Sequence, residues 1–262
     1  MMKKLIAFLF SALLPVMAVA AGGPAIPLDE HRTDLHDTAS LQRGWAAFKN
    51  YCLSCHSANY QRYERAAQDL GVPADIVEQN LLLPGHKIGE QMTIAMRAED
   101  AKAWFGAPPP DLTLEARLRG ADWLYTYLRA FYVDESRPFG VNNTVFPNVG
   151  MPHVLMELQG IPEKTCKPVA VKDENGNTKV DPLTGKAFEE TQCDVIGIRP
   201  ETAKMTTAEY DQFVYDLVNF MVYIGEPSKL ESQRLGTYVL IFLAIFFVFA
   251  YALKREYWRD VH

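Results

Sequence analysis

The sequence predicts a mainly α-helical domain with loop insertions, followed by one C-terminal transmembrane helix. Three observations carry that reading. Apolar residues recur at i, i+3, i+4 and i+7 in several separate stretches. Little period-two alternation lies between them. Residues 235–253 then run for nineteen positions without a charge, close to the length that spans a bilayer core. The 262 residues are enough for one domain with a sizeable core. The formal net charge is −6, and it grows more negative when the basic residues of the two ends are set aside. That balance does not suit a nucleic-acid partner. It would suit electrostatic steering of a basic protein, although a solvated surface is the commoner reason for such a balance.

Residues 1–20 read as a secretory signal peptide. Met1-Met2-Lys3-Lys4 is a basic start, 5–16 an apolar run, and Ala18-Val19-Ala20 a small-residue cleavage site. The exported domain is then 21–230, beginning with a loose lead-in over 21–37. A helix starts near Ser40, with Leu41, Gly44, Trp45, Phe48 and Cys52 on one face. Further helical stretches are expected over 60–70, closed by Gly71, over 73–82, opened by Pro73, and over 91–104. The three prolines at 108–110 demand an extended loop. Helical spacing returns over 121–132, with Trp123, Leu124, Tyr127, Leu128 and Phe131 on one side, and 138–152 is a second Gly/Pro loop. Thr206 and Glu209 form a capping box before a long amphipathic helix that ends at Gly225-Glu226-Pro227. Lys254 and Arg255 follow the apolar span at once, with Tyr251, Tyr257 and Trp258 at belt positions. They predict a cytoplasmic tail over 254–262 and an exported domain anchored by a single pass.

Within this frame, Cys52-Leu53-Ser54-Cys55-His56 is the attachment pattern of a c-type haem. Two thiols one helical turn apart each add to one vinyl group, and the adjoining imidazole lies beneath the iron as its proximal ligand. A redox dithiol needs no following His, and a zinc site needs a second ligand pair that the chain lacks. Export also fits, because such haem is attached outside the bacterial cytoplasm. The sixth ligand decides whether the iron passes electrons or binds gases. Met92 and Met96 lie on a helix-like run and Met221 on a packing face, so they read as core side chains. Met151 sits in Phe146-Pro147-Asn148-Val149-Gly150-Met151-Pro152-His153, where Gly and Pro fix the backbone. Met156, His153 and His86 remain alternatives to it on this reasoning.

Taken together, four stretches make the chain resemble the cytochrome c1 family, the c-haem subunit of the cytochrome bc1 complex (ubiquinol–cytochrome c oxidoreductase), in its bacterial form. They are 40–44 running into Cys52–Ser57, Pro109-Pro110-Asp111-Leu112 followed by Arg117-Leu118-Arg119, Phe146-Pro147 through Met151-Pro152, and Glu226-Pro227 with the apolar span and 251–255. The resemblance implies one covalent haem c on Cys52 and Cys55, with His56 and Met151 as iron ligands. It also implies that Arg119 pairs with a haem propionate and that Pro110 joins the haem-binding set. Trp123 stands where some members carry a Tyr that contacts a propionate, and indole N–H donates but cannot accept. Cys166 and Cys193 flank a polar insertion, 160–200, which some bacterial members close with a disulfide. The partners implied are a cytochrome b subunit, the Rieske iron–sulfur protein, a soluble c-type cytochrome and membrane lipid, in a dimeric complex of the bacterial inner membrane with the haem domain in the periplasm. Quinol oxidation belongs to cytochrome b, and no quinol-oxidising site is expected in this chain. A free-standing membrane-tethered cytochrome is the rival reading, and a haem enzyme or gas sensor with a vacant sixth site is a further one.

Overall fold

Two helices far apart in sequence form the spine of the domain. In the computed structural model, which describes residues 27–173 and 176–259, α1 (Thr38–Tyr51) starts at Asp37, whose carboxylate accepts the Ser40 N–H at 2.9 Å. The expected signal peptide lies outside the described residues, as do 260–262. The apolar face of α1 buries Leu41, Trp45 and Phe48 against the long helix of residues Thr207–Gly225. That later helix carries the predicted capping box, with both the Thr206 and Glu209 halves formed. Where the two cross, a Cβ on Gly44 would lie 2.0 Å from the Asp216 carbonyl oxygen, so no larger residue permits this approach. Trp45 and Phe220 stack across the contact with centroids 6.1 Å apart. The buried Asp216 carboxylate accepts from Ser40 Oγ, Arg43 and Gln212, and Asn219 donates to Ser40 Oγ. A buried charge satisfied this fully ties the two helices rather than opposing their contact.

Between these helices the chain builds the rest of the domain from short elements: β1 (Ala58–Arg62), α2 (Tyr63–Asp69), α3 (Ala74–Asn80), β2 (Gln91–Met92), α4 (Ala98–Phe105), α5 (Glu115–Arg119), α6 (Ala121–Arg129), β3 (Phe131–Val133), β4 (Val141–Asn143) and α7 (Met156–Gln159). The helix expected over 60–70 is shorter, because 58–62 pairs antiparallel with Gln91–Met92 before the chain turns helical. The same pairing removes the start of the run expected over 91–104. Met92 is core, but Met96 precedes α4 and is only half-buried. Helix 121–132 likewise gives way at Phe131 to a strand that pairs with Val141–Asn143.

The insertion differs most from expectation. β5 (Pro162–Ala170) and β6 (Glu189–Ile198) form an antiparallel ribbon with a bulge between Thr165 and Lys167. Most of the residues described in it are exposed or half-buried on both faces, so no apolar alternation announces the strands in the sequence. Cys166 is disulfide-bonded. The side chain of Cys193 lies outside the described residues.

α8 (Thr207–Gly225) completes the core, and α9 (Lys229–Tyr257) leaves it. The span expected at 235–253 falls inside α9. At 29 residues it reaches about 44 Å, longer than a bilayer core of about 30 Å. None of its residues is buried on the domain. It is the single candidate membrane span among the described residues. The molecule is thus a mainly α domain with loop insertions and one apolar C-terminal helix.

Candidate haem site

The end of α1 and four later segments enclose a cavity of about 320 Å³. Its walls include Cys52, Cys55, His56, Pro110, Arg119, Trp123 and Met151. All seven haem-site residues expected from the sequence therefore meet at one place.

The motif is presented by a tight turn. Past Tyr51 the backbone closes on Cys52 O, which accepts N–H from Cys55 at 3.1 Å and from His56 at 2.9 Å. Cys52 and Cys55 are free thiols, the first buried and the second half-buried. Burial pushes the Cys52 thiol up to about 12. The His56 ring is oriented by the proline loop, with its Nδ1 lying 2.7 Å from Pro110 O. A carbonyl only accepts, so this bond requires the proton on Nδ1 and leaves the Nε2 lone pair free. Desolvation lowers the pKa of His56 and favours the neutral ring that a metal needs. The loop is itself tied to the motif, since Leu112 N donates to Ser57 O and Asn59 N to Asp111 Oδ2.

Met151 arrives on a segment held by side chains. Asn142 Oδ1 accepts the Asn148 N–H at 2.8 Å, and Asn143 Oδ1 accepts from Val145 N and Phe146 N. Asn143 Nδ2 anchors that corner to Tyr127 O. Arg137 donates to both the side chain and the carbonyl of Asn148, which holds a left-handed φ of 64°. The Tyr127 hydroxyl donates to Met151 Sδ at 3.4 Å.

The competitors for the sixth position do not line the cavity. His153 stacks flat on Phe131 at 4.7 Å and its Nε2 bonds to Gln159 Oε1 at 2.7 Å. Burial drops its pKa to about 4. Met156 opens α7 against the core, and His86 lies beside Glu90.

Arg119 already has partners in the cavity wall. Its Nε donates to Glu115 Oε2 at 2.8 Å, and its guanidinium lies 4.5 Å from the centre of the Trp123 ring and 5.5 Å from that of Phe146. Trp123 in turn stacks on Tyr127 at 4.8 Å. Sequence reasoning named neither Glu115 nor Tyr127, Asn142 and Asn143 as part of the site. The Asn-Asn doublet before a proline loop is a turn signal that marks the corner, though not its role.

The donor set fits a c-type haem. Two unpaired thiols, an imidazole with a free Nε2 and a thioether share one largely apolar cavity, with a guanidinium at its wall. Among the described residues no group of three or more His, Cys, Asp or Glu is placed to hold a metal ion.

Comparison with known proteins agrees. The model of the Cytochrome C1 family matches residues 199–261. Cytochrome c1 of Allochromatium vinosum is 47% identical over 261 residues, covering 100% of both chains. A Nitrosomonas europaea protein named ammonia monooxygenase gamma subunit is 44% identical over 260 residues, covering 99% of this chain and 100% of its own. A solved chain described as "Hyperthermophilic respiratory Complex III" covers 99% of this chain and 97% of its own, at 16% identity and a TM-score of 0.42. Identity of this order along the full length of both chains leaves one conclusion, that the protein belongs to the cytochrome c1 family.

Proposed function

We propose that this chain carries one haem c bonded through Cys52 and Cys55 and passes single electrons from a Rieske iron–sulfur protein to a soluble periplasmic c-type cytochrome, as the c1 subunit of a bc1 complex that oxidises quinol in its cytochrome b. One observation carries the reading: Cys52, Cys55, His56 and Met151, a hundred residues apart at the extremes, line one apolar cavity. A bound haem supplies one-electron chemistry at its iron. The residues of the chain do the rest. His56, held by Pro110 O, and Met151, held by the Asn142–Asn148 corner, would be the two iron ligands. Closing both positions limits the site to electron transfer. Arg119 would place a cation at the propionate end, shared with Glu115, and Trp123 would give it a flat apolar platform.

The same reading sets the topology. Cleavage near Ala20 exports residues 21–230, α9 crosses the inner membrane once, and the basic residues after 253 keep the tail in the cytoplasm. Cys166 would pair with Cys193, since the ribbon register brings the neighbours Thr165 and Val195 opposite each other. The complex is proposed to be a dimer.

Purification of the membrane complex tests this. A mature chain heavier than its sequence by one porphyrin, with a b-type haem and an iron–sulfur signal in the same particle, is the expected result. A bare polypeptide mass removes the haem, and a haem chain that purifies alone favours the free-standing tethered cytochrome. The name of the Nitrosomonas relative favours a second home, an oxygenase complex. Co-purification with such subunits instead of b-type haem would establish it.

A further inference from the structure

We infer that Tyr127 is a positioning residue for Met151, which sets the orientation and donor strength of the thioether and so raises the reduction potential of the site. The inference rests on the reading of Met151 as an iron ligand and deepens it. A thioether sulfur has two lone pairs and is a weak hydrogen-bond acceptor. If one pair is given to a metal, the other can accept the Tyr127 O–H, which lies 3.4 Å from Sδ. That bond draws density from sulfur. A poorer donor stabilises the electron-poor oxidised iron less than the reduced iron, and the potential rises.

The phenol is built to hold this place. Tyr127 belongs to α6, is buried, stacks on Trp123 at 4.8 Å and meets Phe131 edge-on at 5.2 Å, so two rings fix its plane. Its backbone carbonyl accepts from Asn143 Nδ2 at 2.8 Å. One residue therefore grips the Met151 segment twice, by its main chain at the corner and by its hydroxyl at the sulfur. Among the described residues, the acid in the cavity wall is Glu115, and Arg119 engages it.

Tyr127→Phe in the holo complex tests the inference, because it keeps the ring and deletes the O–H. The expected result is a lower reduction potential, a shifted Met-to-iron charge-transfer band, and faster carbon monoxide binding to the reduced protein, with haem content unchanged. Tyr210→Phe is the matched control. It deletes another buried hydroxyl, bonded to Leu128 O at 2.8 Å, which does not reach Met151. It should lower thermal stability and leave potential and band alone. If both variants move the potential alike, or Tyr127→Phe moves neither potential nor band while wild type shows the band, the inference is overturned. Absence of the band from the wild-type protein would instead overturn the assignment of Met151.

Discussion

Two segments deliver side chains to the same cavity by opposite means. The Cys52–His56 turn is the end of a helix locked into the core, and it inherits its position from the packing of α1 on α8. The Met151 segment lies on no helix or strand, although Val149 packs into the core. Its corner is fixed by two asparagine side chains, an arginine and a tyrosine, each reaching across the chain to backbone groups or to sulfur. Packing is cooperative and fails as a unit, whereas a pinned loop can open while the domain stays folded. The thiol and imidazole side should therefore be as stable as the fold, and the thioether side should be the adjustable one.

The largest effect is expected where helix packing leaves no room. Gly44→Val places side-chain atoms against the Asp216 carbonyl and Phe220 Cβ, 2.0 and 2.7 Å from where the first carbon would sit. It should cost at least about 3 kcal/mol, since a backbone oxygen cannot step aside. Thermal unfolding and haem yield would fall together. A folded variant that loses only the Met-to-iron band would break the comparison.

Asn143→Ala addresses the other segment. It deletes one buried hydrogen bond, to Tyr127 O, and two part-buried ones, from Val145 N and Phe146 N, for about 3 kcal/mol in all. Covalent haem should persist, because the Cys52–His56 turn is untouched, while the reduced protein should gain carbon monoxide binding. Loss of haem attachment would mean that the two segments are not independent.

Removing the disulfide by Cys166→Ser sharpens the picture further. In the chain-entropy model a closed loop of this kind stabilises by about 3 kcal/mol. Guarding the Met151 side is one role open to such a staple. Yet the Met151 corner takes its hydrogen bonds from Asn142, Asn143, Arg137 and Tyr127, none of them in the ribbon. The variant should melt earlier by differential scanning and keep its potential. A lowered potential would return the ribbon to the ligand's support.

What the sequence made legible follows the same division. The Cys52–His56 motif, the Thr206–Glu209 box and the apolar span depend on spacings of a few residues or on local composition; the box and the span stand where expected, and the motif residues line the cavity. The ribbon of 162–198 escaped because strands solvated on both faces carry no alternation, and β1 escaped because its partner lies some thirty residues away. Met151 could not be separated from Met156, His153 and His86 by local pattern; family resemblance favoured it, and the tertiary arrangement adds that only Met151 of the four lines the cavity. Tyr127 read correctly as a helix-face residue, but its hydroxyl's target lies 24 residues downstream, beyond the reach of any periodicity.

The smallest expected effect concerns pH and belongs to the packed side. His31 anchors the lead-in to α6 and α8: its N–H donates to Asp122 Oδ1, and its ring stacks on Tyr215 and meets Tyr125 edge-on. Nε2 faces Tyr215 O at 3.2 Å and so carries the proton, while Nδ1 accepts from Thr33 Oγ1 at 3.0 Å. Burial lowers its pKa below the ordinary 6.5, only partly offset by the Tyr215 carbonyl and the Asp122 charge. A histidine held neutral in the fold and protonated in the unfolded chain leaves stability unchanged above 6.5. Stability is lost as pH falls from 6.5 towards the folded value, because there the unfolded state binds the extra proton. Denaturant unfolding of the wild-type domain should weaken over that interval more steeply than that of His31→Gln, with the two running parallel above it. Parallel curves throughout would show that the ring titrates freely, and that the lead-in is not part of the packed unit that positions the Cys52–His56 turn.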